Sequence, residues 1–392
     1  MIYSEFQGKQ ISMLGYGGMR MPTLPDGTIN EEEVTKLIDH AILNGINYFD
    51  TAWPYHNGES ERVLGRVLNR YNRDQFFLAD KFPGHQLSST GYYPAAIFEA
   101  QLKKCGVEYF DFYLLHNVYE KSMDVYLDPK WGIIDYFKEQ KRLGRIKHLG
   151  FSCHSATKGL REFLDACGED MEFCQIQLNY LDWTLQDAKG KYELLTERGI
   201  PVWVMEPVRG GKLVDLRADD VNKLKSLRPE ESVASWGFRF LQGLPNVKVV
   251  LSGMTNMDQL SDNIKTFSGR IPQTEQEVAV LFEIAEGLKK SVPCTACRYC
   301  CDGCPKKLDI PTLISIYNDF CFSNTINIAM LMELMDEKDH PSACIGCGKC
   351  TKICPQNIDI PFIMKDFNER LSKLPSWTEE CRRREASMNL NK

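Results

Sequence analysis

GINYFDTAWPYHNGESERVLGRVL, residues 45 to 68, joins a short apolar run, INYFD, to a loop and then to an amphipathic helix, ESERVLGRVL. A strand that is apolar on both faces and leads into a helix belongs to a parallel sheet. The unit recurs. From residue 10 to about 270 the runs ISMLGYGG, FFLADK, FDFYLLH, KHLGFS, CQIQLN, VWVMEP and VKVVLSG alternate with segments carrying charge at helical spacing, such as EEEVTKLIDHAILN. With INYFD they make eight strand-then-helix units, the number that closes a (β/α)8 TIM barrel in the α/β class. A doubly wound open sheet is the weaker alternative. No GxGxxG opens the first helix, and the polar residues are spread over many strand ends instead of one switch point.

At 392 residues the chain has room for such a barrel, assigned to residues 1–271, and a smaller module over 272–392. IPQTEQEVAVLFEIAEGLKK reads as a helix leading out of the barrel, and the charged end EECRRREASMNLNK as a surface helix or loose tail. The 47 basic and 53 acidic side chains give a net charge of -6 with no basic block, which argues against nucleic acid and a membrane surface and for a small-molecule substrate or a protein partner. The N-terminus lacks the build of a signal peptide and no stretch approaches a membrane span, so a cytoplasmic protein is expected.

Of the fifteen cysteines, ten lie between positions 294 and 354, which favours metal binding over disulfides. Cys294, Cys297, Cys300 and Cys304 recur fifty positions later as Cys344, Cys347, Cys350 and Cys354, and CPKKLDIP is answered by CPQNIDIP. Cys301 falls opposite Thr351 and is the leftover of the first run. Both copies read C-x2-C-x2-C-x3-C-P. A four-cysteine zinc site would need only CxxC pairs, whereas three thiolates on one tight loop reach three corners of an iron-sulfur cubane and leave the fourth to a ligand from elsewhere. The run resembles that of two-cluster ferredoxins, in which the fourth cysteine of each copy serves the other cluster. This resemblance implies two 4Fe-4S clusters, one on Cys294, Cys297, Cys300 and Cys354, the other on Cys344, Cys347, Cys350 and Cys304. The intervening IPTLISIYNDFCFSNTINIAMLMELM reads as helix, which is closer to the helical two-cluster modules than to the compact β-rich type, and Cys321 within it reads as a core residue.

Asp50 closes INYFD, Lys81 closes FFLADK and His116 closes FDFYLLH, so each is expected at the C-terminal end of a barrel strand, where such barrels keep their chemistry. Tyr55, five residues past Asp50, can bend over the same mouth. Together they can protonate a carbonyl oxygen. Tyr55 would be the acid, Lys81 would bring its pKa down from ~10, Asp50 would keep the lysine charged, and His116 would orient the carbonyl.

At these residues the chain resembles the aldo-keto reductases over roughly residues 10 to 270. GINYFDTAWPYHNGESERVLGRVL, FFLADKFP and DFYLLHNV follow, in order, the family segments that carry Asp and Tyr, Lys, and His. With the cysteine repeat, the chain is similar to the aldo-keto reductases that bear a ferredoxin-type extension. The resemblance implies hydride transfer from an extended NADP(H) or NAD(H), bound without a Rossmann motif, to a small carbonyl substrate. It implies nicotinamide contacts from Ser152, Cys153 (in place of Asn), Gln175 and Met205 (in place of an aromatic ring). Arg209, Gly210, Gly211 and Lys212 are expected to wrap the pyrophosphate, and Gly253, Thr255, Gln259 and Asn263 to meet the adenosine end, with Thr255 where a basic residue would pair with a 2'-phosphate. The expected function is thus an NAD(P)H-dependent carbonyl oxidoreductase carrying two clusters. One alternative is an electron-transfer component whose clusters exchange electrons with a flavin or a redox partner protein, and another leaves the clusters a structural or oxygen-sensing duty.

Overall fold

The computed structural model describes residues 1–86, 91–289, 292, 294, 298–322, 326–354 and 358–390. They fall into two units, Met1–Leu281 with Arg384–Lys392, and Phe282–Arg383. The division lies inside the helix Glu275–Leu288, past the position 271 expected from sequence.

In the first unit, β1 (Tyr3–Phe6) and β2 (Lys9–Ser12) form an antiparallel hairpin. A closed barrel follows, built from β3 (Leu14–Gly17), β4 (Tyr48–Asp50), β5 (Phe77–Phe82), β6 (Phe110–Val118), β7 (Ile146–Cys153), β8 (Cys174–Gln177), β9 (Val202–Met205) and β10 (Val247–Ser252). Every neighbouring pair is parallel, and β10 closes on β3. The eight apolar runs are the eight barrel strands.

Large side chains fill the barrel, among them Tyr48, Phe112, Leu114, Trp203, Val249 and Leu251. They leave little room. A Cβ on Gly15 would stand 2.8 Å from Leu251 Cδ2 and 3.1 Å from Tyr48 Cδ1, which explains a bare backbone at that point. The hairpin, which the sequence reading did not include, plugs the end where the strands begin. Its two-residue turn takes positive φ at Gln7 (47°) and Gly8 (78°), as a tight right-twisted hairpin requires. Phe6 then inserts with its ring 5.1 Å from Trp203 and 5.8 Å from Phe112, both near the starts of their strands. With that end stoppered, the strand C-termini form the open rim.

The second unit is helical among the described residues. Ile310–Phe322 and Ile326–Glu333 occupy the segment between the cysteine runs, followed by Ile360–Leu371 and the start of Trp377–Leu390, which belongs to this unit as far as Arg383. Leu313, Ile314, Phe320, Met364 and Phe367 form its core, joined by Cys300 and Cys350, with Cys321 partly buried against it. No described helix is long and apolar enough to cross a membrane.

Candidate active site and cysteine-lined cavity

Parallel register sets the rim. Asp50 pairs with Ala79 across β4 and β5, and Lys81 with Leu114 across β5 and β6, so the two charged side chains climb the barrel one strand apart. The Lys81 ammonium is fully enclosed. It donates to Asp50 Oδ1 at 2.5 Å, to the Thr51 carbonyl at 2.8 Å and to Tyr55 Oη at 3.4 Å, which uses all three of its protons. Tyr55 begins a tight turn, Tyr55–Gly58, in which His56 and Asn57 take left-handed φ values of 49° and 55°. That turn is pinned by the Met21 N–H, which donates to His56 Nε2 at 3.1 Å. Sequence placed Tyr55 in a loop; the reversed backbone is what carries it back over Lys81.

His116 lies where β6 breaks register between Leu115 and Val118, beside Asn117 at φ 57°. Such an irregularity re-aims a side chain at a barrel rim. The imidazole stands edge-on to Tyr55, ring centres 5.8 Å apart. Two neighbours were missed in the sequence. Tyr126 Oη donates to the His116 carbonyl at 2.6 Å, and the His85 ring packs 4.5 Å from that of His116. His85 follows Lys81 by four residues, so the only available signal was a polar PGHQ segment after a strand.

Burial pushes the Tyr55 phenol above its ordinary 10.0, while the Lys81 charge pulls it down and Asp50 pushes it up. This corrects the expectation that Lys81 brings the phenol toward neutrality. The ammonium acts in the expected direction, but partial burial costs the phenolate more hydration than a cation already paired with Asp50 restores. Burial likewise works against the Lys81 charge, yet the Asp50 carboxylate and the Tyr55 oxygen outweigh it and hold the ammonium above its usual range. Burial raises Asp50, opposed first by Lys81 and then by the Gln175 amide. Asp50 Oδ2 is enclosed without a hydrogen-bond partner among the described residues. The result is a charged lysine beneath a phenol that keeps its proton through neutral pH.

The residues expected at a dinucleotide lie around the same rim. Ser152 is buried and its Oγ accepts the Asn117 N–H at 2.7 Å, which ties β7 to the break in β6. Cys153 is also buried, and burial pushes its thiol up to about 11. Gln175 is buried beside Asp50 and Met205 is partly exposed at the end of β9. Arg209 is buried and paired, its Nε 3.0 Å from Asp182 Oδ2 in the segment after β8, with both groups enclosed. Lys212 is exposed. Thr255 and Gln259 satisfy each other, the Thr255 N–H donating to Gln259 Oε1 at 2.9 Å, and Asn263 donates to Ser252 Oγ at 3.0 Å. Gly253, Gly210 and Gly211 bring side-chain-free backbone to the rim; a Cβ on Gly211 would meet nothing within 4 Å, whereas Gly253 and Gly210 lie against the Arg20 side chain. A bare-backbone cradle flanked by a buried amide and hydroxyl fits an extended dinucleotide.

In the second unit, Cys304, Cys344, Cys347 and Cys350 line one partly open cavity together with Ile310, Ile360 and Met364. Three of these thiols come from one run and the fourth from the other. No group of three or more His, Cys, Asp or Glu among the described residues closes on a single ion. A cubane separates its ligands to four corners, so thiolates around a cavity suit it better than a convergent set would. Cys294, Cys300 and Cys354 pack on the same helical core, and Cys297 lies outside the described residues.

Comparison with known proteins agrees with both regions. Residues 293–358 match the 4Fe-4S dicluster domain, and residues 13–286 the aldo/keto reductase family. A probable aldo-keto reductase 1 from Glycine max is 28% identical over 153 residues, 37% of this chain and 42% of that protein. The uncharacterized oxidoreductase YqkF of Bacillus subtilis (strain 168) is 24% identical over 303 residues, 69% of this chain and 92% of its own length. Among solved structures, the holo form of aldo-keto reductase AKR11C1 from Bacillus halodurans superposes with a TM-score of 0.57 at 24% identity, over 71% of this chain and 93% of that one. An aldo/keto reductase from Klebsiella pneumoniae in complex with NADP and acetate has the same TM-score and coverage at 20% identity. With a family match over most of its length and the eight-stranded barrel to accompany it, the chain belongs to the aldo/keto reductase family and is an oxidoreductase with a C-terminal 4Fe-4S dicluster domain.

Proposed function

We propose that the barrel reduces the carbonyl of a small aldehyde or ketone, with Tyr55 as the general acid and NADP(H) or NAD(H) as cofactor. The observation that carries this reading is the single buried ammonium of Lys81 shared by Asp50 and Tyr55 at the barrel rim. A reduced nicotinamide, when bound, supplies the hydride. The chain's own residues handle the proton. Tyr55 keeps it on Oη through neutral pH and delivers it to the carbonyl oxygen as negative charge develops there, and the adjacent ammonium stabilises the phenolate left behind. Asp50 keeps that ammonium charged in a site where burial alone would discharge it. His116, edge-on to Tyr55, orients the carbonyl. Ser152, Cys153, Gln175 and Met205 would hold the nicotinamide end, Gly210 and Lys212 the middle, and Gly253, Thr255, Gln259 and Asn263 the adenosine end.

In the module we assign to residues 272–392, one cluster is held by Cys344, Cys347, Cys350 and Cys304, a set supported by the shared cavity. The other falls to Cys294, Cys297, Cys300 and Cys354. Such clusters supply one-electron chemistry, whereas the barrel's proton and hydride steps move a pair.

The test is anaerobic, cluster-loaded protein mixed with NADPH or NADH and a panel of aldehydes and ketones. Stoichiometric nicotinamide oxidation with carbonyl consumption, lost in Tyr55→Phe, is the expected result. If nicotinamide instead bleaches the clusters, and only after a flavin or partner protein is added, the electron-transfer reading replaces this one.

A further inference from the structure

Arg20 ends the short turn Gly18–Arg20 that follows β3. Its side chain lies flat across Gly253, the residue after β10, where an added Cβ would stand 2.8 Å from Arg20 Cβ and 3.1 Å from its Cδ. The guanidinium then reaches the loop after β9. There Nη2 pairs with Glu206 Oε1 at 3.0 Å, and a Cβ on Gly210 would sit 2.9 Å from the same nitrogen. One arginine thus spans the ends of β3, β9 and β10, and two glycines are what let it lie so close.

The span coincides with the bare-backbone cradle described above. Arg209, the basic residue that sequence assigns to the dinucleotide's diphosphate, has its guanidinium buried and paired with Asp182 of the segment after β8. Arg20 has what that position needs, a planar fork of donors suited to paired anionic oxygens. Its present partner is readily displaced. The Arg20 and Glu206 side chains are 46% and 28% exposed, and a solvent-open pair of this kind contributes little to stability.

We propose that Arg20 binds the diphosphate of the dinucleotide cofactor, and that Glu206 is a stand-in anion that holds the guanidinium over the cradle until the cofactor displaces it. The inference rests on the nicotinamide reading of the barrel. Glu206 competes with the ligand, so the two partners of this ion pair have opposite effects on cofactor affinity. A strap that merely joined three strand ends would give effects of the same sign.

The experiment measures NADPH and NADH dissociation constants by quenching of intrinsic tryptophan fluorescence, in full-length cluster-loaded protein, across a salt series. Arg20→Met is expected to weaken both nucleotides by about tenfold or more. It should also flatten the dependence of affinity on salt. Arg20→Lys should recover part of the loss, because it restores the charge without the fork. Glu206→Gln is expected to tighten binding severalfold, and to have no effect when added to Arg20→Met. If Arg20→Met fails to fold, judged by its melting curve, the Glu206→Gln and Arg20→Lys measurements decide alone. Binding to Arg20→Met within twofold of the parent, or Glu206→Gln weakening it, overturns the proposal while leaving the cofactor reading in place. A parent protein that binds neither nucleotide overturns both.

Discussion

The barrel rim and the cysteine-lined cavity assemble their sites by opposite routes. At the rim, Asp50, Lys81 and His116 come from three strands and Tyr55 from a reversed turn, and they meet only because the barrel closes in one register. In the cavity, Cys344, Cys347 and Cys350 share one short run, and Cys304 alone arrives from the other copy. A site drawn from one run is specified by local spacing. A site drawn from four elements depends on the whole core beneath it, including the hairpin plug and the tight packing against Gly15.

The sharpest way to separate the two is Tyr55→Phe. Carbonyl reduction should fall by about 10²–10⁴-fold, the usual worth of a positioned general acid, while iron and sulfide contents stay at the parent level. Retention of the full rate would sink the acid role. Lys81→Met tests how far the rim depends on its buried pair. It leaves Asp50 enclosed without its cation, for which we expect about 3–5 kcal/mol of destabilisation in urea unfolding, largely relieved by adding Asp50→Asn. Removing the positive charge also takes away the influence that lowers the Tyr55 pKa, so any residual activity should lose its acid form at a higher pH than the parent.

On the cavity side, Cys304→Ser should cost about half of the bound iron, since the crossed arrangement gives it one cluster only. Cys301→Ser should cost none. Equal losses from the two variants would break the assignment of Cys301 as the leftover and, with it, the crossed ligand sets.

The smallest effect concerns the barrel wall. Burial works against the Glu172 carboxylate, but His148, Lys141, the Leu149 N–H and Gln7 outweigh it and hold the pKa down to about 2, against an ordinary 4.5. Its contribution is therefore complete above about pH 4.5 and drains away as the pH falls toward 2. Glu172→Gln should lower stability at neutral pH by about 1 kcal/mol, since partial exposure screens these pairs, and should flatten the acid limb of stability against pH. An unchanged acid limb would remove Glu172 from that role.

These contrasts also account for what was legible. The barrel strands were readable because each is buried on both faces, so every one appears as an unbroken apolar run. Asp50, Lys81 and His116 were readable because each run ends in a polar residue at the rim. Arg209 was misdirected by the same logic. Its loop sits at a strand end, but its guanidinium follows Asp182, twenty-seven residues earlier in the chain, and no local pattern encodes that choice. Arg20 and His85 were overlooked because a lone arginine or histidine in a polar loop carries no periodic signal. The β1–β2 hairpin is too short to show alternation, and its role depends on what Phe6 meets inside the barrel.

By itself the sequence determined the number of strands, the rim at which Asp50, Lys81, Tyr55 and His116 meet, and the fifty-residue repeat of thiols. These are short-range patterns, written in periodicity and spacing. Only the tertiary structure decided which way Arg209 and Arg20 turn, how β6 breaks to aim His116, and that burial raises the Tyr55 phenol when the neighbouring cation alone would lower it. Charge state and side-chain direction follow from enclosure and from partners distant in sequence, and a linear pattern contains neither.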